Sequence, residues 1–300
     1  MQKLRFAIFG NEYQAKKSAA IQKLIAILQQ READIFIDRP FYDFLTEGQH
    51  LELSVTRVFD GSDFEADFAV SMGGDGTLLR TASRVAEKQI PIIGINIGRL
   101  GFLADFNPSE MEHAIASVYN GTYSIFNHCA LEIETSHDTL VPDEHSSISG
   151  TPFAVNDVAV LKHDNASMIS IRTSVNGEFV MTYQADGLIV TTPTGSTAYS
   201  LSNGGPIIAP ATGILCLTPV APHSLNVRPI VVRDDAVITL KVESRSHNFL
   251  VAIDGRSENL AEGTVVTIRK SRYPARVVRF PERRYFSILR EKMMWGLDQR

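Results

Sequence analysis

The hydrophobic period of this chain changes once, near residue 125, and that change limits the folds open to it. Before it, apolar strand-like runs alternate with stretches in helical spacing. After it, strand-like runs follow one another with no helical stretch until the tail. Alternation of strand and helix builds a mostly parallel sheet with helices on both faces. Short strands joined directly by turns build an all-β, sandwich-like domain. A chain of 300 residues is long enough for both, each with its own core.

In the first part LRFAIFG (4–10), DIFIDR (34–39), ADFAVSM (66–72) and PIIGIN (91–96) read as strands. Ala20, Leu24, Ile25, Ile27 and Leu28 lie near helical spacing and predict a helix over 13–30. Residues 40–48, 76–88 and 108–121 read as further helices, the last with Pro108 near its start and Gly121 at its end. In the second part the strand signals run from SIFNHCALEIET through PFAVNDVAVLK, MISIRTSVN, EFVMTYQ, GLIVTT, ILCLTPV, PIVVR, AVITLKVES, FLVAIDG and TVVTIRKS to RVVRF. Asn176-Gly177, Asp234-Asp235 and Asp254-Gly255 lie between such runs, and Asn-Gly is the strongest short hairpin signal. The polar stretch 137–150 reads as a surface loop inside the second domain. In the tail, Tyr285, Ile288, Leu289, Met293 and Trp295 can form an apolar helical stripe that returns to the first domain. The expected fold is therefore an α/β domain with a mostly parallel sheet over 1–125, rejoined by 276–300, and an all-β sandwich-like domain over 126–275.

The formal charge of -5 argues against a nucleic-acid binder held by phosphate contacts and against a polybasic membrane anchor. Cys129 and Cys216 sit in apolar runs, too few for a disulfide framework and without the clustered ligands of a zinc site. Buried, inert thiols and a reducing, cytoplasmic compartment are expected. The start, MQKLRFAIFG, has too short an apolar core for a signal peptide. No apolar run reaches the roughly 18 residues of a membrane span.

Three segments could carry chemistry. In SMGGDGTLLR (71–80) an apolar strand ends, glycines turn the chain and a helix begins, where open α/β sheets bind ligands. Glycines let the backbone approach a phosphate, and a helix start offers free N–H groups. Asp75 repels phosphate, so its presence suits a role with a proton or a cation. Read alone, the turn is as well explained as an ordinary Gly-Asp-Gly β-turn, and neither the GxxxxGK[ST] nor the GxGxxG pattern is present in it. Asn156-Asp157 sits in a strand context, where two consecutive polar side chains cannot both avoid the core face; a strand-end turn or bulge explains it equally well. In ADGLIVTTPTGSTAYSLSNGGP (185–206) a short strand leads into Pro193, Gly195, the hydroxyls of Thr194, Ser196 and Thr197, and then Tyr199, which can stack on a base or ribose. Loops of Thr, Pro, Gly and Ser are common without function, and Ser196 or Thr197 can simply cap a short helix. None of the eight histidines falls in a metal pattern, and no GxSxG elbow supports a nucleophilic triad.

Together, GGDGT (73–77), Asn156-Asp157, DGLIVTTPTGSTAYSLSNGGP (186–206) and PHSLNVRP (222–229) resemble the NAD kinase family in order and spacing, over nearly the whole chain. GGDGT is shared with diacylglycerol and sphingosine kinases; the TPTGSTAYS run is the more specific motif. The resemblance implies transfer of the γ-phosphoryl group of ATP to the 2′-hydroxyl of the adenosine ribose of NAD, giving NADP. It implies that Asp75 is the proton acceptor and that Gly73, Gly74, Gly76 and Thr77 shape a phosphate-facing loop, with Arg80 reaching a phosphate. Gly76 also falls against the NAD, and Asn156 and Asp157 hold its adenine and ribose region. Gln184, Asp186, Thr197, Ala198, Tyr199, Ser200, Leu201 and Ser202 line the dinucleotide pocket, with Asp254 and Arg256 completing it.

The implied partners are NAD and ATP, with Mg²⁺ or another divalent cation carried by ATP and no metal held by protein side chains. Nucleic acid and membrane are not expected, and a homodimer or homotetramer is. The sequence departs from the family pattern at Asp157, where Glu is common, at Gln184, where some bacterial members have Arg, and at Arg256, where Gln is frequent. A carboxylate is a far weaker base than a sugar alkoxide, so Asp75 is expected to orient the hydroxyl and take its proton late. Asp75→Asn is expected to fold normally and lose activity. A lipid kinase shares GGDGT but wants a greasy or basic surface, and a nucleotide sensor that has lost catalysis has no need of an intact Asp75.

Overall fold

The computed structural model describes residues 3–10, 18–98, 101–136, 152–164, 167–280 and 284–295. The start of the expected 13–30 helix and the 137–150 loop lie outside the described residues. The chain divides into two compact units, Met1–Asn127 with Ala275–Arg300, and His128–Pro274.

The first unit is a seven-stranded sheet with helices. In chain order it has β1 (Arg5–Gly10), α1 (Ser18–Gln30), β2 (Asp34–Asp38), α2 (Arg39–Asp43), β3 (Arg57–Phe59), β4 (Phe68–Gly73), α3 (Asp75–Val85), β5 (Ile92–Asn96), α4 (Met111–Asn120) and β6 (Ser124–His128). The chain returns at its end with β19 (Ala275–Arg279) and α6 (Tyr285–Met293). Strand order is β3-β2-β1-β4-β5-β19-β6, and the β1–β2, β1–β4, β4–β5, β2–β3 and β5–β19 pairs are parallel. β4 and β5 are buried along their whole length, as strands covered on both faces must be. Phe6, Ile8, Val70, Met72, Ile93 and Ile95 form the core with Leu24 and Leu28 of α1 and Ile115 of α4.

The second unit carries two six-stranded sheets. Its strands are β7 (Leu131–Thr135), β8 (Phe153–Ala154), β9 (Asp157–Lys162), β10 (Ile169–Val175), β11 (Glu178–Ala185), β12 (Gly187–Thr191), β13 (Ile214–Val220), β14 (Ile230–Arg233), β15 (Ile238–Glu243), β16 (Asn248–Ile253), β17 (Arg256–Ala261) and β18 (Val265–Lys270), with the single-turn helix α5 (Tyr199–Ser202) after β12. The sheet orders are β11-β10-β15-β18-β7-β8 and β14-β13-β12-β9-β16-β17. Ile171, Leu240, Val242 and Ile268 of one sheet share a core with Val160, Leu188, Leu217 and Val251 of the other. The hairpins β10–β11 and β16–β17 turn on Asn176-Gly177 (φ 52° and 81°) and Asp254-Gly255 (φ 47° and 80°), the paired positive φ of a two-residue turn that suits strand twist.

Three expectations change. SIFNHCALEIET is two strands, β6 and β7, which belong to different sheets. RVVRF, within the 276–300 segment, is β19 and inserts between β5 and β6. β3 and β17 are additions to the expected strands; both are edge strands, β3 only three residues long and β17 largely polar. Trp295 leaves the expected helical stripe: α6 ends at left-handed Met294 (φ 53°), and Trp295 beyond it is 54% exposed, whereas Ile288 and Leu289 are buried.

Candidate functional site

In the first unit the site is built on the carboxyl end of β4. Gly73 closes the strand because a Cβ there would stand 2.0 Å from Thr77 Oγ1. Gly74 caps α3 in extended conformation (φ -102°, ψ -165°), and Asp75 is the first helical residue. A Cβ on Gly74 or Gly76 would meet nothing within 4 Å. The fold therefore requires glycine at 73, while at 74 and 76 the missing side chain leaves open backbone. Thr77 is buried and Arg80 exposed.

The Asp75 carboxylate is held from the adjacent strand's loop. Oδ2 accepts the Phe102 N–H at 2.7 Å; Oδ1 accepts the Leu103 and Ala104 N–H groups at 3.1 and 3.2 Å. Phe106 N–H donates to Gly94 O, and Asn96 N–H donates to Phe106 O, so the segment after this loop lies along β5 and aims the three amides at Asp75. Gly101 permits the approach: a Cβ there would lie 1.8 Å from Asp75 Oδ1. Asp75→Asn, expected to fold normally and lose activity, therefore carries a structural cost as well. Its amide presents an N–H₂ where the carboxylate received an N–H, leaving at least one backbone donor without its acceptor.

Residues 101–104 were not singled out in the sequence. The available signal was a second glycine pair, Gly98 and Gly101, following the buried strand next to the GGDGT strand.

In the second unit, one end of the β9–β12 pair gathers Asn156, Asp157, the 192–197 turn and Asp254. Thr191 Oγ1 and the Thr192 N–H donate to Asn156 O at 3.1 and 2.9 Å, and Thr192 Oγ1 donates to Val155 O at 2.6 Å. Gly195 lies so close that a Cβ would stand 2.1 Å from Asn156 O. Asp254 binds this bend with both oxygens: Oδ2 accepts the Val155 N–H at 2.8 Å, and Oδ1 accepts the Asn156 and Asp157 N–H groups at 2.8 and 3.2 Å. Arg256 is tied to backbone, donating to Ile253 O at 3.3 Å and Phe153 O at 3.2 Å.

Asp157 is 5% exposed, and burial followed by the charge of Asp254 pushes its carboxyl up to about 7. Burial also raises Asp254, against the pull of its three amides and Arg256. Those amides favour the charge on Asp254 and the proton on Asp157.

The 197–202 run does not face one way. Tyr199 is 41% exposed and Ser202 is exposed, whereas Ser200 is fully buried, 2.9 Å from Thr218 Oγ1. Ser196, also buried, donates to Pro193 O at 2.7 Å and accepts the Ile208 N–H at 2.9 Å.

Gln184 and Asp186 are not brought to this end. They lie beyond the other end of β12, about 20 Å of strand from Thr192, and line a cavity of ≈ 620 Å³ with Lys162, Ser170, Glu243 and Arg245. Lys162 Nζ pairs with Asp186 Oδ1 at 2.8 Å. Among the described residues no cluster of three His, Cys, Asp or Glu side chains is placed to hold a metal ion, and no helix is long and apolar enough to cross a membrane.

Against known families, residues 7–123 match the ATP-NAD kinase N-terminal domain and residues 155–280 match the ATP-NAD kinase C-terminal domain. The chain belongs to the NAD kinase family. Among similar NAD kinases, that of Bacteroides fragilis is 53% identical over 297 residues, covering 99% of this chain and all of the relative. A solved NAD kinase from Archaeoglobus fulgidus, in complex with ATP, is 27% identical with a TM-score of 0.72, covering 97% of this chain and 99% of that one. A yeast NADH kinase complexed with NADH shares the fold, with a TM-score of 0.85 at 24% identity over the whole chain and 90% of its own length.

Proposed function

We propose that this member of the NAD kinase family transfers the γ-phosphoryl group of ATP to the 2′-hydroxyl of the adenosine ribose of NAD, with Asp75 taking the hydroxyl proton. The observation that supports this most directly is the pinned Asp75 carboxylate at the head of α3, between two glycines whose side-chain space is open. Phosphoryl transfer depends on alignment and charge neutralisation more than on covalent chemistry. Open backbone at Gly74 and Gly76, at a helix start, suits phosphate oxygens, with Mg²⁺ arriving on ATP as part of that substrate.

Any carboxylate is a weak base toward a sugar hydroxyl. Asp75 orients the hydroxyl and accepts its proton late, when bond formation has made that oxygen acidic. Asn156 and Asp157 hold the adenine and ribose, and Tyr199 offers an exposed ring for stacking. A proton on Asp157 lets its carboxyl donate as well as accept. Asp254, with both oxygens engaged by amides, acts by fixing the 155–157 bend, and Arg256 by fixing the hairpin beside it. Gln184 and Asp186 present a second dinucleotide-facing surface at the far end of β12. The protein works as a homo-oligomer in the cytoplasm.

The reading is tested by incubating purified protein with Mg²⁺, ATP and either NAD or diacylglycerol, with inorganic polyphosphate as an alternative donor. NADP forms with ATP and no phosphatidic acid appears. Phosphorylation of the lipid, or no NADP, refutes it.

A further inference from the structure

The C-terminal helix delivers one cation to the Asp75 loop. Ile288 and Leu289 are buried and fix the rotation of α6. Lys292, four and three residues on, shares their face, and its Nζ stands over the Phe102 ring, 4.4 Å from the centroid. Phe102 is the residue whose N–H makes the shortest bond to Asp75, at 2.7 Å. Contact thus runs from the helix through one aromatic residue to the proposed base.

We propose that Lys292 is a positioning residue for phosphoryl transfer, an inference that rests on the kinase reading above: its ammonium holds the Phe102 loop against Asp75 and offsets the carboxylate's charge where an anionic substrate must approach. Three observations converge on it. Lys292 makes no ion pair with any described residue. Burial lowers its proton affinity, while the charges of Asp75 and then Glu291 restore part of it, so Asp75 lies within its electrostatic reach. A half-buried ammonium on an aromatic face is also stronger than a solvated one.

A dinucleotide and ATP are both anions, and a bare carboxylate among their phosphates is repulsive. A nearby cation reduces that cost. This assigns a task to the tail: it completes the Asp75 loop from the far end of the sequence.

The test is a kinetic cycle on the full-length protein with wild type, Lys292→Met, Lys292→Arg, Asp75→Asn and the double variant Asp75→Asn/Lys292→Met, each checked by thermal melting. Lys292→Met is expected to lower kcat by roughly 10-fold to 30-fold, the scale of a partly desolvated cation–π contact, with KM for NAD within about twofold. Lys292→Arg, which keeps charge and ring contact, recovers most of the rate. In the Asp75→Asn background the same lysine change has little further effect, because its route runs through Asp75. A merely structural lysine shows the opposite pattern: a lowered melting temperature, no rescue by Arg, and losses that multiply in the double variant. That pattern, or wild-type kcat in Lys292→Met, overturns the inference while leaving the kinase reading intact. Wild-type protein that forms no NADP overturns the kinase reading and the inference together.

Discussion

Replacing Asp157 by Asn should stabilise the protein at alkaline pH, and by an amount that depends on pH. Asp157 is almost wholly buried beside Asp254, and its carboxyl is pushed up to about 7 from an ordinary value of 3.8. Between those two values the folded protein holds a proton that the unfolded chain has released. Stability therefore falls as pH rises through that window and levels off above about 7. A displacement of about 3 on the pH scale, at 1.36 kcal/mol per unit, corresponds to roughly 4 kcal/mol.

Asn removes that cost because it cannot ionise. At roughly 2–4 °C per kcal/mol for a unit of this size, Asp157→Asn should melt about 10 °C above wild type at pH 8. At pH 4 the difference should vanish, since both side chains are then neutral in the folded state. Thermal melts of both proteins from pH 4 to 8 measure this. A constant difference across the range, or a variant less stable than wild type at pH 8, refutes the buried-pair account of Asp157 and Asp254.

Two glycine substitutions separate packing from function. Gly76→Ala places a methyl in open space on a helix, so stability should rise by up to about 1 kcal/mol while KM for ATP rises at least about tenfold; unchanged kinetics would remove the loop from phosphate binding. Gly101→Ala brings a Cβ to 1.8 Å from Asp75 Oδ1. It should lower both the melting temperature and kcat, by about 100-fold or more in rate, and a fully active variant would show that the Asp75 cradle is dispensable.

Much of the α/β unit was legible because its strands are continuous apolar runs and α4 ends on a glycine, Gly121 (φ 66°). The GGDGT turn was legible because a buried strand runs straight into it. What holds Asp75 was not, because its donors lie at residues 102–104 and their orientation comes from pairing along β5. Asp254 was assigned to ligand contact from sequence, yet its oxygens face the amides of residues 155–157, nearly a hundred positions away. Asp186 and Thr197 look like neighbours in one motif, but β12 stands extended between them and carries them to opposite ends. Lys292 gave no signal at all: the role proposed for this helical lysine rests on its Nζ standing over the Phe102 ring.

The proton-accepting role of Asp75 is tested most directly by single-turnover phosphorylation of bound NAD, comparing wild type with Asp75→Asn below the melting temperature of both. The variant loses about 1–3 kcal/mol of stability from its disrupted amide bonds, so the temperature is set by its melt. With NAD and ATP binding matched, the chemical step should slow by ~10²–10⁴-fold. A folded variant that phosphorylates NAD at the wild-type rate would contradict the account.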